Sequence, residues 1–371
     1  MSYINYIGTA NPTFKTAQKQ IAQFMANALA LNTLEKHQLE VLYRASGIQT
    51  RYSVIEDYQH LENYTFFPNT QDLEPFPTVD ARMRLYEREA IQLCEKAVYA
   101  ALPITFDYHQ ISHLITVSCT GMYAPGIDIQ LIQRFSLRTD IQRTAINFMG
   151  CYAAFNALKT ADYIIKAQPD AKVLVVAVEL CSIHLQKAKN ADTLLANALF
   201  GDGAAAALLS GQPNEQAASF QIQQFYSDLA LDGIQEMAWR IGDFGFDMKL
   251  TSVIPDIIRA NITQLISRLL QKMNIGIEDI DYFAMHPGGK RILRVIEEEL
   301  NINKTKNQIA HQVLRDYGNM SSPTILFVMN ALKANLQPSD HQKKVLGLAF
   351  GPGLTLESML INIHYETPIM V

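Results

Sequence analysis

The chain has 371 residues, 49% of them hydrophobic and 18% charged, with a net charge of −5. That balance can bury a large core, and it excludes the strongly basic field that would hold nucleic acid or an anionic membrane. Small-molecule partners are expected instead. Four cysteines (Cys94, Cys119, Cys151, Cys181) form no Cys-x-x-Cys pair, and the start Met1-Ser2-Tyr3-Ile4-Asn5-Tyr6 has no basic, apolar leader. No apolar run reaches the roughly 18 to 20 residues of a membrane helix, so a reducing cytoplasm is the expected location.

In chain order, residues 3–8 read as a short strand ended by Thr9-Ala10-Asn11-Pro12, and proline favours a turn there. A helix is predicted over 16–30 and a second over 34–43, closed by Gly47. Residues 63–77 carry proline, aromatics and polar groups without a period and read as a loop. Residues 82–101 form an amphipathic helix holding Cys94. His113–Cys119 is β-branched and reads as a buried strand. His109 and His113 stand four apart, but no third ligand follows in motif spacing, so no metal site is expected. A helix over 127–135, a strand over 143–148, and the almost continuous apolar strand 172–179 complete an alternation of strands and helices that implies a layered α/β sheet.

Between the second and third of these strands lies Asn147-Phe148-Met149-Gly150-Cys151-Tyr152-Ala153-Ala154-Phe155. The thiol stands where a strand pattern gives way to an alanine-rich helix. A helix start leaves free N–H groups and a partial positive charge, which would lower a thiol's pKa. Gly150 permits a tight turn and a close approach to the backbone. The plain alternative is one more packed cysteine.

Phe200-Gly201-Asp202-Gly203 leads into a small-residue strand, and Phe350-Gly351-Pro352-Gly353 repeats the theme near the other end. The pair suggests an internal duplication, with a half over 1–215 and a half over 216–371 linked by a polar stretch at 211–227. The second half carries Phe244-Gly245-Phe246 in an expected loop, a helix over 254–273, and a strand ending in His286-Pro287-Gly288-Gly289. A helix over 291–300 follows, and then a turn at Tyr317-Gly318-Asn319-Met320-Ser321-Ser322. Cys151, His286 and Asn319 each close an element, where rigid scaffolds present reactive groups.

These stretches, with Val79-Asp80-Ala81-Arg82 and Ile7-Gly8-Thr9-Ala10-Asn11-Pro12, cover the chain end to end, and together they resemble the type III polyketide synthases of the chalcone and stilbene synthase family, bacterial type. The resemblance implies an α/β thiolase-like fold with five layers (α-β-α-β-α) from two duplicated halves, and a homodimer. It implies an acyltransferase that loads an acyl-CoA starter on Cys151, extends it with malonyl-CoA by decarboxylative condensation, and cyclises the chain to a pyrone, resorcinol or chalcone-like product. His286 and Asn319 would bind the malonyl thioester oxygen. No metal or cofactor is implied beyond the CoA thioesters themselves.

By the same resemblance Phe200 and Phe246 form a gate, and Thr120, Cys181, Ile183, His184, Gly233 and Ser321 line the cavity. Phe350, Gly351, Pro352 and Gly353 form the cyclisation loop, and Arg51 grips CoA. The departures are Ala349 in place of a glycine, Ala124 in place of the methionine that plant members extend into the partner subunit, and Gln49 and Thr50 where plant members are basic. His184 also differs from the plant pattern. They point away from chalcone and toward an alkylpyrone or alkylresorcinol.

Three other readings share these residues. A 3-oxoacyl-ACP synthase III-like ketosynthase uses the same Cys, His and Asn but takes malonyl from a carrier protein. A papain-like hydrolase would have Asn319 orient His286, and a CoA-binding module would use none of the three reactive groups.

Overall fold

The structure is a computed structural model that describes residues 1–70 and 72–365. Gln71, inside the expected 63–77 loop, and residues 366–371, at the end of the expected second half, lie outside the described residues. The first half runs β1 (Ser2–Ala10), β2 (Phe14–Ala17), α1 (Gln18–Ala28), α2 (Thr33–Ala45), β3 (Thr50–Ser53), α3 (Val79–Ala101), β4 (His113–Ser118), α4 (Ile127–Arg134), β5 (Gln142–Asn147), α5 (Ala153–Ala167), β6 (Lys172–Leu180), α6 (Ala191–Leu199) and β7 (Asp202–Ser210). Local chemistry sets several starts. Asn32 and Glu35 close a reciprocal capping box on α2, and the side chains of Thr78 and Asn190 cap α3 and α6.

The second half runs β8 (Ser219–Leu229), β9 (Met237–Gly242), β10 (Gly245–Leu250), α7 (Ile254–Met273), β11 (Tyr282–Met285), α8 (Lys290–Glu299), α9 (Gln308–Tyr317), α10 (Thr324–Ala334), β12 (Lys344–Gly351) and β13 (Thr355–His364). Proline in the first turn starts α7, and Asn274 in the left-handed conformation ends it.

Nine strands make one sheet in the order β11-β12-β13-β8-β1-β7-β6-β4-β5. The same topology occurs twice in it. β1 pairs antiparallel with β7, β7 antiparallel with β6, and β6 parallel with β4. β8 pairs antiparallel with β13, β13 antiparallel with β12, and β12 parallel with β11. A short β1–β8 ladder, Ser2–Ile4 on Phe220–Ile222, joins the halves.

Helix α3 covers β1, β6 and β7 from outside, while α7 lies with α8 against β8. Between the two half-sheets lie α5, which touches β4, β6 and β13, and α10, which touches β1, β7 and β11. Ala154, Phe155, Val175, Phe327 and Leu346 belong to the core cluster around these central helices. Burial of each such large side chain is worth about 1.5–3 kcal/mol. The result is the thiolase-like fold, helix and sheet alternating in five layers.

Two local expectations are corrected. The stretch expected as a polar link over 211–227 is mostly strand: Phe220 and Ile222 are buried, and β8 pairs with both β1 and β13. Its glutamines hid the alternation. Phe246 lies in strand β10 of the β9–β10 hairpin rather than in a loop. His109 sits in a 3-10 turn and His113 in β4, so they share no helix face, and the described residues hold no cluster of three metal-ligating side chains.

Candidate active site

The reactive thiol sits in a turn between an edge strand and a central helix. β5 ends at Asn147, Phe148 and Gly150 take positive φ (59° and 80°), and α5 begins at Ala153. A side chain on Gly150 would strike Pro352 Cδ at 2.4 Å, and one on Gly351 would strike Tyr152 at 2.4 Å. The turn before Cys151 and the Phe350–Gly353 loop are therefore interlocked, each needing glycine for the other's approach.

Cys151, His286 and Asn319 line one cavity together with Thr120, Cys181, Phe200, Ser321, Phe350 and Pro352. His286 follows β11, and its N–H is held by Leu348 O at 2.7 Å. Asn319 follows α9. Its Oδ1 accepts from Ser321 N at 2.8 Å and its Nδ2 donates to Gly288 O at 3.3 Å, which fixes the carboxamide with its N–H side toward the thiol. Both ring nitrogens of His286 are buried without a partner among the described residues. The imidazole is therefore free to accept or donate to whatever enters, and it is not oriented by Asn319 as a papain-like site would require.

Burial acts on all three groups, which are 6%, 4% and 2% exposed. It pushes the Cys151 thiol up to about 11, with hydrogen bonds from Ser321 and Asn319 pulling the other way, and pushes the His286 imidazole down to about 3. The lowered thiol pKa expected from the helix start is corrected: desolvation outweighs the partial charge of one helix end. Burial thus disfavours charge on both groups.

Beneath the cavity lies Glu179, a carboxylate at the end of the apolar β6 strand whose role sequence reasoning missed. It accepts from Cys119 N (2.9 Å), Thr120 Oγ1 (2.7 Å), Ser118 Oγ (3.3 Å) and Ser322 Oγ (2.5 Å). Four donors around one buried acid tie the turn after β4 to the turn before α10. Burial raises its pKa, against these hydrogen bonds. The signal was one acid in an otherwise apolar strand.

A second cavity adjoins the first. It contains His184 and Phe246, and it shares Cys181, Phe200, Trp239 and Met248 with the thiol cavity. Phe200 thus stands at the junction and Phe246 on the far side. His184 donates from Nε2 to Thr120 O (2.7 Å), accepts from Phe246 N at Nδ1 (3.0 Å), and stacks on the Phe246 ring at 4.1 Å. Burial holds it neutral, down to about 3.

Three expected positions need correction. Ile183 is fully buried in the core and lines neither cavity, its carbonyl taking a bond from Arg82. Gly233 packs on Leu354 outside both cavities, and the hairpin residues facing in are Met237, Trp239 and Met248. Arg51 is 6% exposed and donates to Gln18 Oε1, Asn197 O and Phe200 O. Its guanidinium is drawn to the carbonyl end of α6 rather than offered to a phosphate. Ala124 lines a separate cavity with Tyr86, Gly121 and Asn147, away from this chain's thiol. Within the expected cyclisation loop, Phe350 and Pro352 face the thiol cavity, while Gly351 and Gly353 shape the backbone.

Comparison with known proteins gives this geometry its family. Residues 2–213 match the N-terminal domain and residues 221–364 the C-terminal domain of the chalcone and stilbene synthases. The chain is 30% identical over 372 residues to type III polyketide synthase A of Arabidopsis thaliana, covering 96% of this chain and 91% of that one. It is 29% identical over 370 residues to the alpha-pyrone synthesis polyketide synthase-like Pks18 of Mycobacterium tuberculosis, covering 98% and 91%. The solved C-terminal type III polyketide synthase domain of Steely1 from Dictyostelium superimposes with a TM-score of 0.89 at 26% identity, covering 97% of this chain and 99% of that one. No helix among the described residues is long and apolar enough to cross a membrane. Matched through both of its halves, the chain belongs to the chalcone and stilbene synthase family and is a type III polyketide synthase, an acyltransferase.

Proposed function

We propose that the enzyme loads an acyl-CoA starter onto Cys151, extends it iteratively with malonyl-CoA, and releases it by ring closure as a pyrone or resorcinol-type product. The observation that carries this reading is His286: a buried imidazole with both nitrogens unpartnered among the described residues, in the same cavity as the thiol and an oriented carboxamide. In loading, the imidazole takes the thiol proton as sulfur attacks the thioester carbonyl, then passes it to the departing CoA sulfur. Since burial opposes charge on both groups, the proton moves when the substrate arrives, and no ion pair stands beforehand.

In extension, an N–H of His286 and the Nδ2–H of Asn319 donate to the malonyl thioester oxygen. Carbon dioxide leaves, and the enolate oxygen carries more charge than the ground-state carbonyl, so the two donors stabilise it selectively. The enolate carbon attacks the Cys151 thioester and the cysteine sulfur departs. No metal, flavin or nicotinamide takes part. The relative named for alpha-pyrone synthesis supports a pyrone-type outcome. We place a second copy of the chain along β5, an edge strand with Gln142, Arg143, Thr144 and Ala145 exposed.

The test is mass spectrometry of products from malonyl-CoA and a panel of short and long acyl-CoA starters, with no carrier protein added. Starter-dependent pyrones or resorcinols are expected. Turnover only with malonyl attached to a carrier protein would transfer the assignment to a ketosynthase III.

A further inference from the structure

We propose that the ion pair between Lys159 and Glu357 is a positioning device for ring closure: it holds the Cys151 turn against the Phe350–Gly353 loop and so decides how much of the extended chain leaves as a ring rather than as an open-chain acid. The proposal rests on Cys151 as the acyl carrier. Neither residue lines the thiol cavity. Lys159 Nζ donates to both carboxylate oxygens of Glu357, at 3.1 and 2.9 Å, and to Ser227 Oγ at 2.8 Å, while Ser227 Oγ donates to Glu357 Oε2 at 2.6 Å. The Glu357 side chain is 5% exposed and that of Lys159 19%. A buried carboxylate is costly to keep without its partner, so the pair fixes the separation of the elements that carry it.

Those elements are α5, β13 and β8. Glu357 stands opposite Ser227 in the β13–β8 ladder, and α5 packs on β13. Helix α5 leaves the Cys151 turn, and β13 leaves the Phe350–Gly353 loop. Lys159 is six residues on from Ala153, about 9 Å along a helix, and Glu357 is two residues on from Thr355, about 7 Å along a strand. Near the thiol the same two segments meet again. The Gly351 backbone lies against Tyr152, the Tyr152 phenol comes up to Thr355, and Thr355 Oγ1 donates to Pro352 O at 3.2 Å. Helix and strand are therefore pinned at both ends of a short span, by packing at the inner end and by charge at the outer.

Phe350 and Pro352 form the wall that this span sets against the thiol. To make a pyrone, an enol oxygen farther along the chain attacks the Cys151 thioester carbonyl, and the cysteine sulfur departs with the enol proton. To make the acid, a water oxygen attacks the same carbonyl, and the sulfur departs with a proton of that water. Ring closure needs the chain folded back against the wall, whereas hydrolysis needs only the water. A wall displaced by ~1 Å from the thiol therefore slows the first reaction far more than the second.

The experiment separates loading from release. Starter loading on Cys151 is followed by intact-protein mass spectrometry without malonyl-CoA, and the ratio of ring products to open-chain acids is read by liquid chromatography and mass spectrometry with it. Lys159→Met and Glu357→Gln are expected to load within about twofold of the parent rate and to lower the ring-to-acid ratio about fivefold or more. Lys159→Arg, which keeps the charge, is expected to stay within about twofold of the parent ratio. The double variant Lys159→Met/Glu357→Gln strands no charge; it is expected to release acid as the single variants do, and it supplies the comparison if they do not fold. A parent-like ratio in the double variant, or loading and ring formation that fall by one common factor, overturns the proposal and leaves the proposed reaction standing. A parent enzyme that carries no acyl group on Cys151 overturns both.

Discussion

The two half-sheets repeat one topology but finish differently. In the first half β4 is followed in space by a further parallel strand, β5, whose outer edge is bare and whose end delivers Cys151 to the start of α5. In the second half no strand follows β11 among the described residues. Helix α9 and the 3-10 turn at Lys304–Asn307 pack there, and α9 delivers Asn319 to the segment before α10. Equivalent turns before equivalent central helices thus carry a thiol on one side and a carboxamide on the other. Phe200, leading into β7, makes a bridge to Asn319 that locks the two halves at the junction. The duplication supplies the convergence of the two turns, and under the proposed function the divergence divides the labour, one half to hold the acyl group and the other the enolate.

The sharpest way to break the comparison is to delete one chemistry at a time. Cys151→Ala should abolish acyl-enzyme formation and lower product formation by about 10³-fold or more while retaining malonyl-CoA decarboxylation. Asn319→Ala should lower decarboxylation and condensation together by about 10²- to 10³-fold. Intact-protein mass spectrometry and carbon dioxide release read these separately. Acyl adduct on the Cys151→Ala protein, or full decarboxylation by Asn319→Ala, would end the idea of divided roles.

The bare edge of β5 against the covered edge of β11 gives the next test. Ala145→Glu places a charge beside any strand that pairs there and should weaken self-association at least about tenfold. Sedimentation velocity across a concentration series measures it. Identical sedimentation of variant and parent would remove β5 from the interface.

The smallest expected effect concerns two buried histidines, one from each half. His184 and His286 are held at about 3 by burial, below the value near 6.5 of an unfolded histidine. Between those values the unfolded chain binds the protons and the folded chain does not. Stability is therefore fully present above about 6.5 and is lost as pH falls toward 3, by about 1.4 kcal/mol per pH unit per histidine. Asp202, raised by burial to about 6, works in the opposite sense between about 4 and 6. His184→Gln should remove one proton from the acid slope measured by urea unfolding between pH 6.5 and 4. An unaltered slope would mean that His184 takes up its proton in the folded chain as readily as in the unfolded one.

Much of this was legible in the residues. β6 could be read because both of its faces are covered and its apolar run is continuous, and the 254–273 helix because its period, its proline and its Asn274 agree. Cys151, His286 and Asn319 stood out because each closes an element beside glycine. β8 was not legible, since its polar positions lie along a half-buried ladder and mask the buried Phe220 and Ile222. Arg51 misled because its CoA role was carried over from the family resemblance. Only the fold brings the carbonyls of Asn197 and Phe200 to it. Gly233 was placed by ungapped counting along the chain, and the hairpin register puts Met237 and Trp239 inward instead.

By itself the sequence determined the alternation of elements and the duplicated glycine turns, because these depend on periodicity and on what each residue type permits its own backbone. Only the tertiary structure decided that burial disfavours charge on the thiol and the imidazole, and that Glu179 gathers four donors. Those properties arise from desolvation and from contacts between segments far apart in the chain, which no local pattern encodes.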